Sequence, residues 1–591
     1  MKYFNTFALL LFLLIAFSSV AIIAWKETLK INMQSIIELK LKIYPMRKIL
    51  IFFAGMLVSG SLIAGGLVTN TNQSALYTRL QSRNASTSID AVYYNPAGLT
   101  KLGNGLFISI NNQTIGQTKS VLNNYTYLSG SPKEYIGKVS APLFPGVYAA
   151  LKTGKFVFSA GFNPVGGGGG AKYDDGLPSF EMPVSDLVPL LASQNIPTSQ
   201  YSADIFFEGT SVYFGYQANI SYKINDMISV AAGVRMVTAR NTYKGFLNDI
   251  SINPNYPAFG ASYTGNMVLA RDFFTSGAGV LTTLATGASL YNAGLQPLID
   301  GGYGSVLLAD AQSVGLTAQQ IAQIQQIMGA AGQTPEQIGT ASIAYAQTVM
   351  GASAPVFSGK AAAMTEYADA TQDVEVDAEQ TGMGFSPILS LNFSPMDNLN
   401  IALKYEFKTK LELTTKLIDN KGGGFFTEGE KVIADMPAMF AAGVEYRPLE
   451  RLMVTGSMNL YFDKNVDYDG SESVNVNMID KNFSEYALGA ELGLTDNLRI
   501  SAGWLGTFTG VNDAYQNDQR YSLNTHSFGG GLGLRIGPMI DLNLGGQYTI
   551  YNEASKGFNH MLGTIGVPVV ETYNKDTWII AAGIDLYFGK K

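Results

Sequence analysis

Few side chains in this 591-residue sequence are of the types that nucleophilic or metal-assisted chemistry requires. The chain has no cysteine, which excludes disulfides, thiolate nucleophiles and cysteine-based zinc sites. Its two histidines are His526 and His560, and Ser527 would point away from His526 because adjacent strand residues face opposite sides. No Gly-x-Ser-x-Gly nucleophile elbow occurs. We therefore expect neither an enzyme nor a site for a metal ion or cofactor.

Two glycine motifs imitate nucleotide sites without meeting their requirements. The glycines at 166–170 are not followed by the Lys-Ser or Lys-Thr pair that a phosphate loop needs. Gly529, Gly531 and Gly533 alternate with other residues as in a strand, and we expect them to make room for a segment inside the fold.

Two kinds of charged partner are disfavoured. Asp467, Asp469 and Glu472 could hold calcium, but their spacing does not match the twelve-residue calcium loop, so a solvated loop is favoured. The net charge of -7 leaves no basic surplus for a phosphate backbone, so nucleic acid is not an expected partner.

The strand segments that must position any site have one apolar and one polar face. In the segment 399–408, apolar side chains at every second position alternate with Asn400, Lys404, Glu406 and Lys408. Similar segments recur in pairs, joined by short turns on one side and long polar loops on the other. Only 14% of residues are charged, and 64 are glycine. This pattern predicts an all-β fold, a transmembrane antiparallel β-barrel of about 14 strands with extracellular loops that contain short helices.

The expected strands have an even count, which lets the first and last pair and close the sheet. They are 105–115, 145–152, 155–163, 210–223, 227–243, 383–394, 398–414, 438–447, 451–464, 484–494, 498–508, 525–536, 540–551 and 576–588.

The N-terminal region contains two apolar stretches. Residues 7–25 are long enough to span a bilayer. Residues 46–66 have the basic start, apolar stretch and small-residue end of a signal peptide. We therefore expect synthesis to begin at Met46, with residues 1–45 a gene-start artefact; a genuine N-terminal membrane anchor is the alternative.

Two regions lack strand alternation. Residues 67–104 precede the barrel, which is expected to occupy 105–591. Residues 246–380 form a long insertion, in which Thr317 with Gln320 and Thr334 with Gln337 predict capping boxes at helix starts. Because a barrel wall admits only hydrogen-bonded strands, we place the insertion outside the cell.

Residues 85–102 read ASTSIDAVYYNPAGLTKL, and this segment resembles the N-terminal hatch of the FadL/TodX-type outer-membrane transporters of hydrophobic compounds. The resemblance centres on Asp90 followed by Asn95, Pro96, Ala97 and Gly98, between the signal peptide and the first strand. It implies an outer-membrane barrel plugged by residues 67–104.

The resemblance also implies how a fatty-acid-like ligand would move. It would be captured among outer loops, pass to an apolar pocket, and leave sideways into the bilayer where the third strand is kinked. Here Asn163 and Pro164 are followed by Gly166, Gly167 and Gly168. Proline lacks the donor that a sheet needs and glycine favours irregular backbone, so strand pairing is expected to fail at this point.

Basic side chains near the pocket mouth would orient a ligand that carries a carboxylate. The candidates are Arg240 and Lys244 at the outer end of the fifth strand, and Lys464 and Lys481 beside a later loop. Strict alternation points Arg240 and Lys244 outwards unless a bulge intervenes.

The residues leave other functions open. The substrate could be long-chain fatty acids or aromatic hydrocarbons; a structural or adhesive barrel, a general porin or a lipid-modifying enzyme are rival functions. The expected surroundings are outer-membrane lipid and lipopolysaccharide, with barrel-insertion machinery during biogenesis and a monomeric state.

Overall fold

The computed structural model describes residues 69–421, 426–466 and 478–589. The predicted signal peptide, the residues before it, and Asp467, Asp469 and Glu472 lie outside this part of the chain. Within it, no helix combines the length and the apolar character needed to cross a membrane.

Fourteen antiparallel strands form one closed sheet, which confirms the predicted barrel. They are β1 (Gly105–Asn123), β2 (Lys133–Thr153), β3 (Phe156–Tyr173), β4 (Tyr201–Lys223), β5 (Ile228–Ile252), β6 (Val374–Met396), β7 (Leu399–Glu406 and Glu412–Lys421), β8 (Lys431–Ile433 and Met439–Leu449), β9 (Leu452–Tyr461), β10 (Ser484–Gly493), β11 (Leu498–Phe508), β12 (Thr525–Ile536), β13 (Ile540–Tyr551 and Ala554–Leu562) and β14 (Ile565–Gly589). A two-residue strand, Val268–Leu269, pairs with the end of β5.

The sheet closes because β1 pairs with β14 along its whole length, from Gly105 opposite Gly589 to Asn123 opposite Glu571. Closure leaves neither the first nor the last strand with an exposed edge, and an unpaired backbone group in hydrocarbon costs roughly several kcal/mol.

The outer face of the wall is apolar over the height of a membrane. In β14 every second residue from Trp578 to Phe588 is apolar and turned outwards; Ile580 is 63% exposed and Phe588 52%. These ten steps of about 3.3 Å, tilted by about 40°, cover roughly the 25 Å of a lipid-facing band. We call this outward surface, from Trp578 to Phe588, the lipid band.

The strands are longer than predicted on the side of the long loops. β4 begins at Tyr201, β5 ends at Ile252, and β14 begins at Ile565. Beyond the lipid band the outward side chains become polar, as at Asn574, so the apolar alternation ends while backbone pairing continues. Apolar periodicity alone therefore underestimates these strands.

The hatch, residues 69–104 of the described chain, lies inside the barrel. It contains α1 (Ala75–Arg79), α2 (Ala91–Tyr94) and a 3-10 helix (Pro96–Lys101). All of residues 71–100 are buried except Thr87 and Ser88. A Cβ atom at Gly529 or Gly531 of β12 would collide with hatch atoms, so these glycines do make room for a segment inside the fold.

Charged pairs attach the hatch to the wall. Arg79 forms an ion pair with Glu491 of β10, and its guanidinium also donates to Ser501 at 2.8 Å and to Asn543 at 3.1 Å. Arg79 is 1% exposed, so each of these partners offsets the loss of water around the cation.

The long loops carry the remaining helices. Between β3 and β4 lie α3 (Pro178–Ser185) and α4 (Leu187–Ser193). Between β5 and β6 lie α5 (Ala270–Asp300), α6 (Ala318–Ala330), α7 (Pro335–Gly339) and α8 (Ile343–Ala370), with 3-10 turns at Pro257–Phe259 and Leu308–Val314. Another 3-10 turn is Asp463–Asn465.

The helices of the β5–β6 insertion form a small bundle of their own. Both predicted capping boxes are present, at Thr317 and at Thr334. The expectation of short helices is wrong here, because α5 has 31 residues and α8 has 28. Their length is stabilised by a shared apolar core that includes Leu295, Ile324 and Phe357.

We predict that Arg79→Ala loosens the hatch while the barrel stays folded. The change leaves Glu491 buried without its partner, which typically costs about 3–5 kcal/mol. Hydrogen exchange of residues 71–100 in detergent should become markedly faster than in the wild type. Arg240→Ala, which breaks an exposed ion pair with Glu379, is the matched control and should change little. Equal exchange rates in the wild type and both variants would contradict the conclusion that Arg79 attaches the hatch to the wall.

Candidate functional site

A cavity of about 600 Å³ lies inside the barrel, next to the hatch and β3. Its floor is the start of the hatch, residues 69–72 with Tyr77. On one side are residues of β2, β3 and β4, and on the other are residues of β10–β14 and β1, most of them polar. The lining is therefore mixed, whereas the sequence led us to expect a mainly apolar pocket.

The wall beside this cavity is interrupted between β2 and β3. The two strands pair from Thr153 opposite Phe156 up to Val147 opposite Phe162, and again from Lys138 opposite Lys172. Residues 139–146 of β2 and 163–171 of β3 are not paired with each other. We call this interruption the gap. Pairing thus fails at Asn163, Pro164 and the glycines after them, where the sequence predicts it.

Both edges of the gap contain residues that cannot continue a regular ladder. Pro142 and Pro145 on β2 and Pro164 on β3 have no N–H to donate. Gly167 has φ +87°, and a Cβ there would lie 2.3 Å from the carbonyl oxygen of Ser211. β3 still pairs with β4, with register shifts at Pro164 and Gly166, so the interruption is confined to one side of β3. The prolines of β2 were not predicted as part of the interruption.

The first residues of the hatch cross the inner side of the gap. Thr69 forms an isolated bridge with Gly166, and the Asn70 N–H donates to the Val165 carbonyl at 2.9 Å. The Asn163 amide donates to the Gln73 side-chain oxygen at 2.5 Å. The hatch therefore supplies some of the hydrogen bonds that β2 does not.

The predicted hatch residues hold the fold of the hatch. Asp90 accepts two hydrogen bonds from Arg83, at 2.7 and 2.8 Å, and one from Ser86 at 2.6 Å. These contacts close a buried loop within the hatch, so Asp90 is surrounded by donors rather than facing the cavity.

The segment Asn95, Pro96, Ala97 and Gly98 follows this loop, and its contacts attach the loop to the wall. Asn95 donates to the Ser86 carbonyl at 3.0 Å and to Asn392 of β6 at 2.7 Å. The Pro96 carbonyl accepts from Ser221 at 2.7 Å. A Cβ at Gly98 would lie 2.6 Å from the Ser86 carbonyl oxygen, which explains why glycine stands there.

The inward charges further along the wall are paired. Arg235 binds both oxygens of Glu406, at 2.6 and 3.0 Å, and Lys404 binds the same carboxylate at 2.7 Å. Both cations also lie within 5 Å of the centre of the Tyr93 ring of the hatch, at 4.7 and 4.5 Å. This network fixes the hatch against β5 and β7.

The loop 509–524 covers the outer end of the cavity; we call it the roof. Tyr521 donates to the Asn574 carbonyl at 3.0 Å and stacks on Tyr573, and both lie in an apolar cluster with Val121 and Leu523. Asp518 of the roof accepts the N–H of Ser179 in α3 at 2.7 Å. The β3–β4 loop therefore rests on the roof.

No sequence-family profile matches the chain, and neither does any curated protein. A FadL homologue of Pseudomonas aeruginosa is similar in structure, with a TM-score of 0.51 and 12% identity over 88% of this chain and 98% of that one. The chain has the FadL fold. The toluene transporters TodX of P. putida (TM-score 0.44, 12% identity, 86% and 95% covered) and TbuX of Ralstonia pickettii (0.40, 13%, 84% and 93%) are also similar.

Within this FadL fold, the four basic residues predicted from the sequence do not line the cavity. Arg240 and Lys244 face outwards and pair with Glu379 at 2.9 Å and Asp377 at 3.3 Å. No bulge reverses them, because β5 pairs regularly with β6 here. Lys464 donates to the Asp480 carbonyl at 3.0 Å on the exposed rim, and Lys481 is exposed beside it. These placements correct the expectation that they orient a ligand.

The lysines that do line the cavity are Lys119 and Lys575. Both lie just beyond the strands predicted from the sequence, which ended at 115 and began at 576. Continuing the alternation of β1 and β14 would have placed them inside, since Gln117 and Thr577 face inwards two residues away. The apolar alternation of the sequence gave no sign that these two strands continue so far.

Two buried carboxyls, one in the roof and one on β14 above the lipid band, lie close enough for their charges to interact. Burial raises the pKa of Asp518 in the roof. Burial, and then the charge of Asp518, raises the pKa of Glu571 to about 7; Glu571 lies on β14 beyond Trp578. It accepts hydrogen bonds from Asn123 at 2.9 Å and Tyr573 at 2.6 Å.

We predict that the roof becomes less stable as the pH rises. Both carboxyls hold a proton more tightly in the folded chain, so the stabilisation that they contribute is complete in acid and is lost as the pH rises. For Glu571 the loss falls between its ordinary pKa of 4.5 and about 7. Hydrogen exchange of residues 509–524, corrected for its intrinsic rate, should be faster at about pH 8 than at about pH 5. Glu571→Gln should remove most of this difference, whereas Asp513→Asn, at an exposed acid of the same loop, should not. A roof insensitive to pH would refute the prediction.

Proposed function

We propose that this chain is an outer-membrane transporter of the FadL/TodX type, which takes up hydrophobic small molecules and releases them sideways into the bilayer. One observation carries this proposal: the residues that line the interior cavity include both edges of the gap, such as Phe144 and Pro145 on β2 and Phe162 and Pro164 on β3. Leu143, also in the lining, is 77% exposed. The cavity and the outer surface of the wall therefore meet at the gap.

The obstruction of the barrel axis supports a sideways route. The hatch fills the lumen, and its far end is tied down where Lys101 donates to the Asp226 carbonyl at 2.7 Å and Lys152 to the Thr100 carbonyl at 2.7 Å. Moving along the axis would require these contacts and the buried ion pairs to break. Leaving through the gap requires mainly the contacts of residues 69–73 to change.

The physical chemistry of the ligand fits the same route. Each buried methylene contributes about 0.8 kcal/mol, so an apolar ligand gains nothing by entering water on the far side. Release into the bilayer keeps it in an apolar medium throughout. Long-chain fatty acids and aromatic hydrocarbons both meet this condition.

The rival functions predict a different barrel interior. A general porin needs an open aqueous lumen, whereas here the hatch fills it, so a large steady conductance in planar bilayers would favour the porin. A structural or adhesive barrel has no need of a cavity that reaches the lipid. We propose a monomer surrounded by lipid and lipopolysaccharide and inserted by the usual barrel-insertion machinery, without enzymatic activity.

We predict that Ala141→Trp strongly reduces uptake, by at least about tenfold. Ala141 lines the cavity on the β2 edge of the gap, and an indole there would occupy the passage. Ala160→Trp is the matched control: the same change on β3, at an exposed position on the outer face of the wall. Uptake of radiolabelled oleate and toluene would be measured in a bacterial host that lacks such a transporter.

The two variants should fold equally, judged by heat-modifiable electrophoretic mobility. Undiminished uptake of both probes by Ala141→Trp would exclude the gap as the exit. If the wild type transports neither probe and binds neither after purification, the transport proposal itself fails.

A further inference from the structure

Two polar side chains face the lipid beside the gap. Asn112 and Thr114 are half-buried outward positions of β1, opposite Ala582 and Ile580 in the lipid band. A polar group in hydrocarbon costs free energy unless it is hydrogen-bonded, so apolar side chains would suit this surface better. The partners of these two residues therefore indicate why they are polar.

Their partners are backbone groups of β2 at the edge of the gap. The Asn112 side chain accepts the N–H of Phe144 at 2.9 Å and donates to the carbonyl of Pro142 at 3.2 Å. Thr114 donates to the same carbonyl at 3.1 Å. Asn112 thus binds one backbone donor and one acceptor, as a neighbouring strand does in a regular ladder. We call Asn112 and Thr114 the clamp.

The clamp lies where β2 contains one residue more than β1. Between the pairs Gln113–Phe144 and Ile115–Ala141, two residues of β2 face a single residue of β1. Such a β-bulge moves backbone groups away from the partners that a regular ladder would give them. The side chains of the clamp reach these displaced groups. Leu143, within the bulge, is 77% exposed on the outer surface.

The bulge cannot be removed by a slip of one residue. On one side of it the buried, inward positions of β2 are even-numbered, as Tyr148 and Ala150 are, and on the other side they are odd-numbered, as Tyr135 and Val139 are. A slip would turn one of these halves over and bring Lys138 inside. The facing of both halves thus fixes the bulge, and its displaced backbone groups depend on the clamp.

We propose that the clamp positions the β2 edge of the gap and thereby limits the width of the molecules that can leave sideways. This inference rests on the proposed transport function and adds a determinant of specificity to it. Phe144 connects the two sides of the wall: Asn112 binds its N–H from the lipid side, and the residue itself lines the cavity. With the clamp the edge is fixed and wide molecules are excluded. Without it the unsatisfied backbone moves, and the passage no longer discriminates.

The test removes the clamp with Asn112→Leu and Thr114→Val. The new side chains are similar in size and suit lipid better, so the change acts through the lost hydrogen bonds. Uptake of radiolabelled n-dodecane, a linear chain, and pyrene, four fused rings, would be measured in a bacterial host that lacks such a transporter. We expect the wild type to favour dodecane at least about tenfold, and the dodecane-to-pyrene ratio to fall at least about fivefold in the variant. A purely structural loss of folded protein would lower both rates by the same factor and leave the ratio unchanged.

Another outward hydroxyl of the same barrel provides the matched control. Thr238 of β5 faces outwards opposite Met383 and is separated from β3 by β4, so Thr238→Val should leave the ratio unchanged. Thr114→Ser keeps a hydroxyl donor and should behave like the wild type. If the double variant does not fold, as judged by heat-modifiable electrophoretic mobility, Asn112→Leu alone keeps the Thr114 bond and should give an intermediate ratio. Hydrogen exchange of residues 142–146 should be faster without the clamp and unchanged in Thr238→Val.

The outcomes separate this inference from the transport proposal. If the wild type and the variants without the clamp give the same ratio, the clamp does not limit width, while the transport proposal stands. An equal fall of the ratio in Thr238→Val would also overturn the inference, since the loss of any outward hydroxyl would then explain it. If the wild type takes up neither these two probes nor oleate nor toluene, the transport proposal is lost and this inference with it.

Discussion

Backbone pairing in hydrocarbon is the constraint on which this structure depends. A lipid-facing N–H or C=O has no water to bind, so every wall strand must find partners on both sides. Closure of β1 on β14 meets that demand. The gap between β2 and β3 departs from it, and the sequence lowers the cost in two ways: prolines 142, 145 and 164 remove donors, and the hatch offers the Asn70 N–H to Val165. An opening in the wall therefore requires a hatch behind it.

The same hatch explains the polarity of the interior. Once a segment of the chain fills the lumen, inward charges lose most of their water and must pair. Arg79 with Glu491 and Arg235 with Glu406 fulfil this requirement and fix the hatch to the wall at two heights.

The sequence predicted the parts of the fold that alternate in polarity. The membrane-height strands such as 498–508 and 525–536 coincide with the observed ones, and Asn163 to Gly168 marked the irregular strand. It could not predict the extensions beyond the lipid band, since hydrogen bonds continue there without an apolar face to signal them. The lysines of the cavity were missed for that reason. Arg240 and Lys244 show the converse: strict alternation was the better guide, and position along the strand was misleading.

The register of three strands also bears on where a ligand could leave. Residues 112–117 of β1 pair with the β2 edge of the gap on one side and with β14 between Thr577 and Ala582 on the other. The gap therefore lies at the level of the lipid band, where the outer surface of the wall is apolar. A hydrophobic ligand that moved sideways through the gap would pass from the cavity into hydrocarbon without crossing the polar extensions of the strands or the water beyond them.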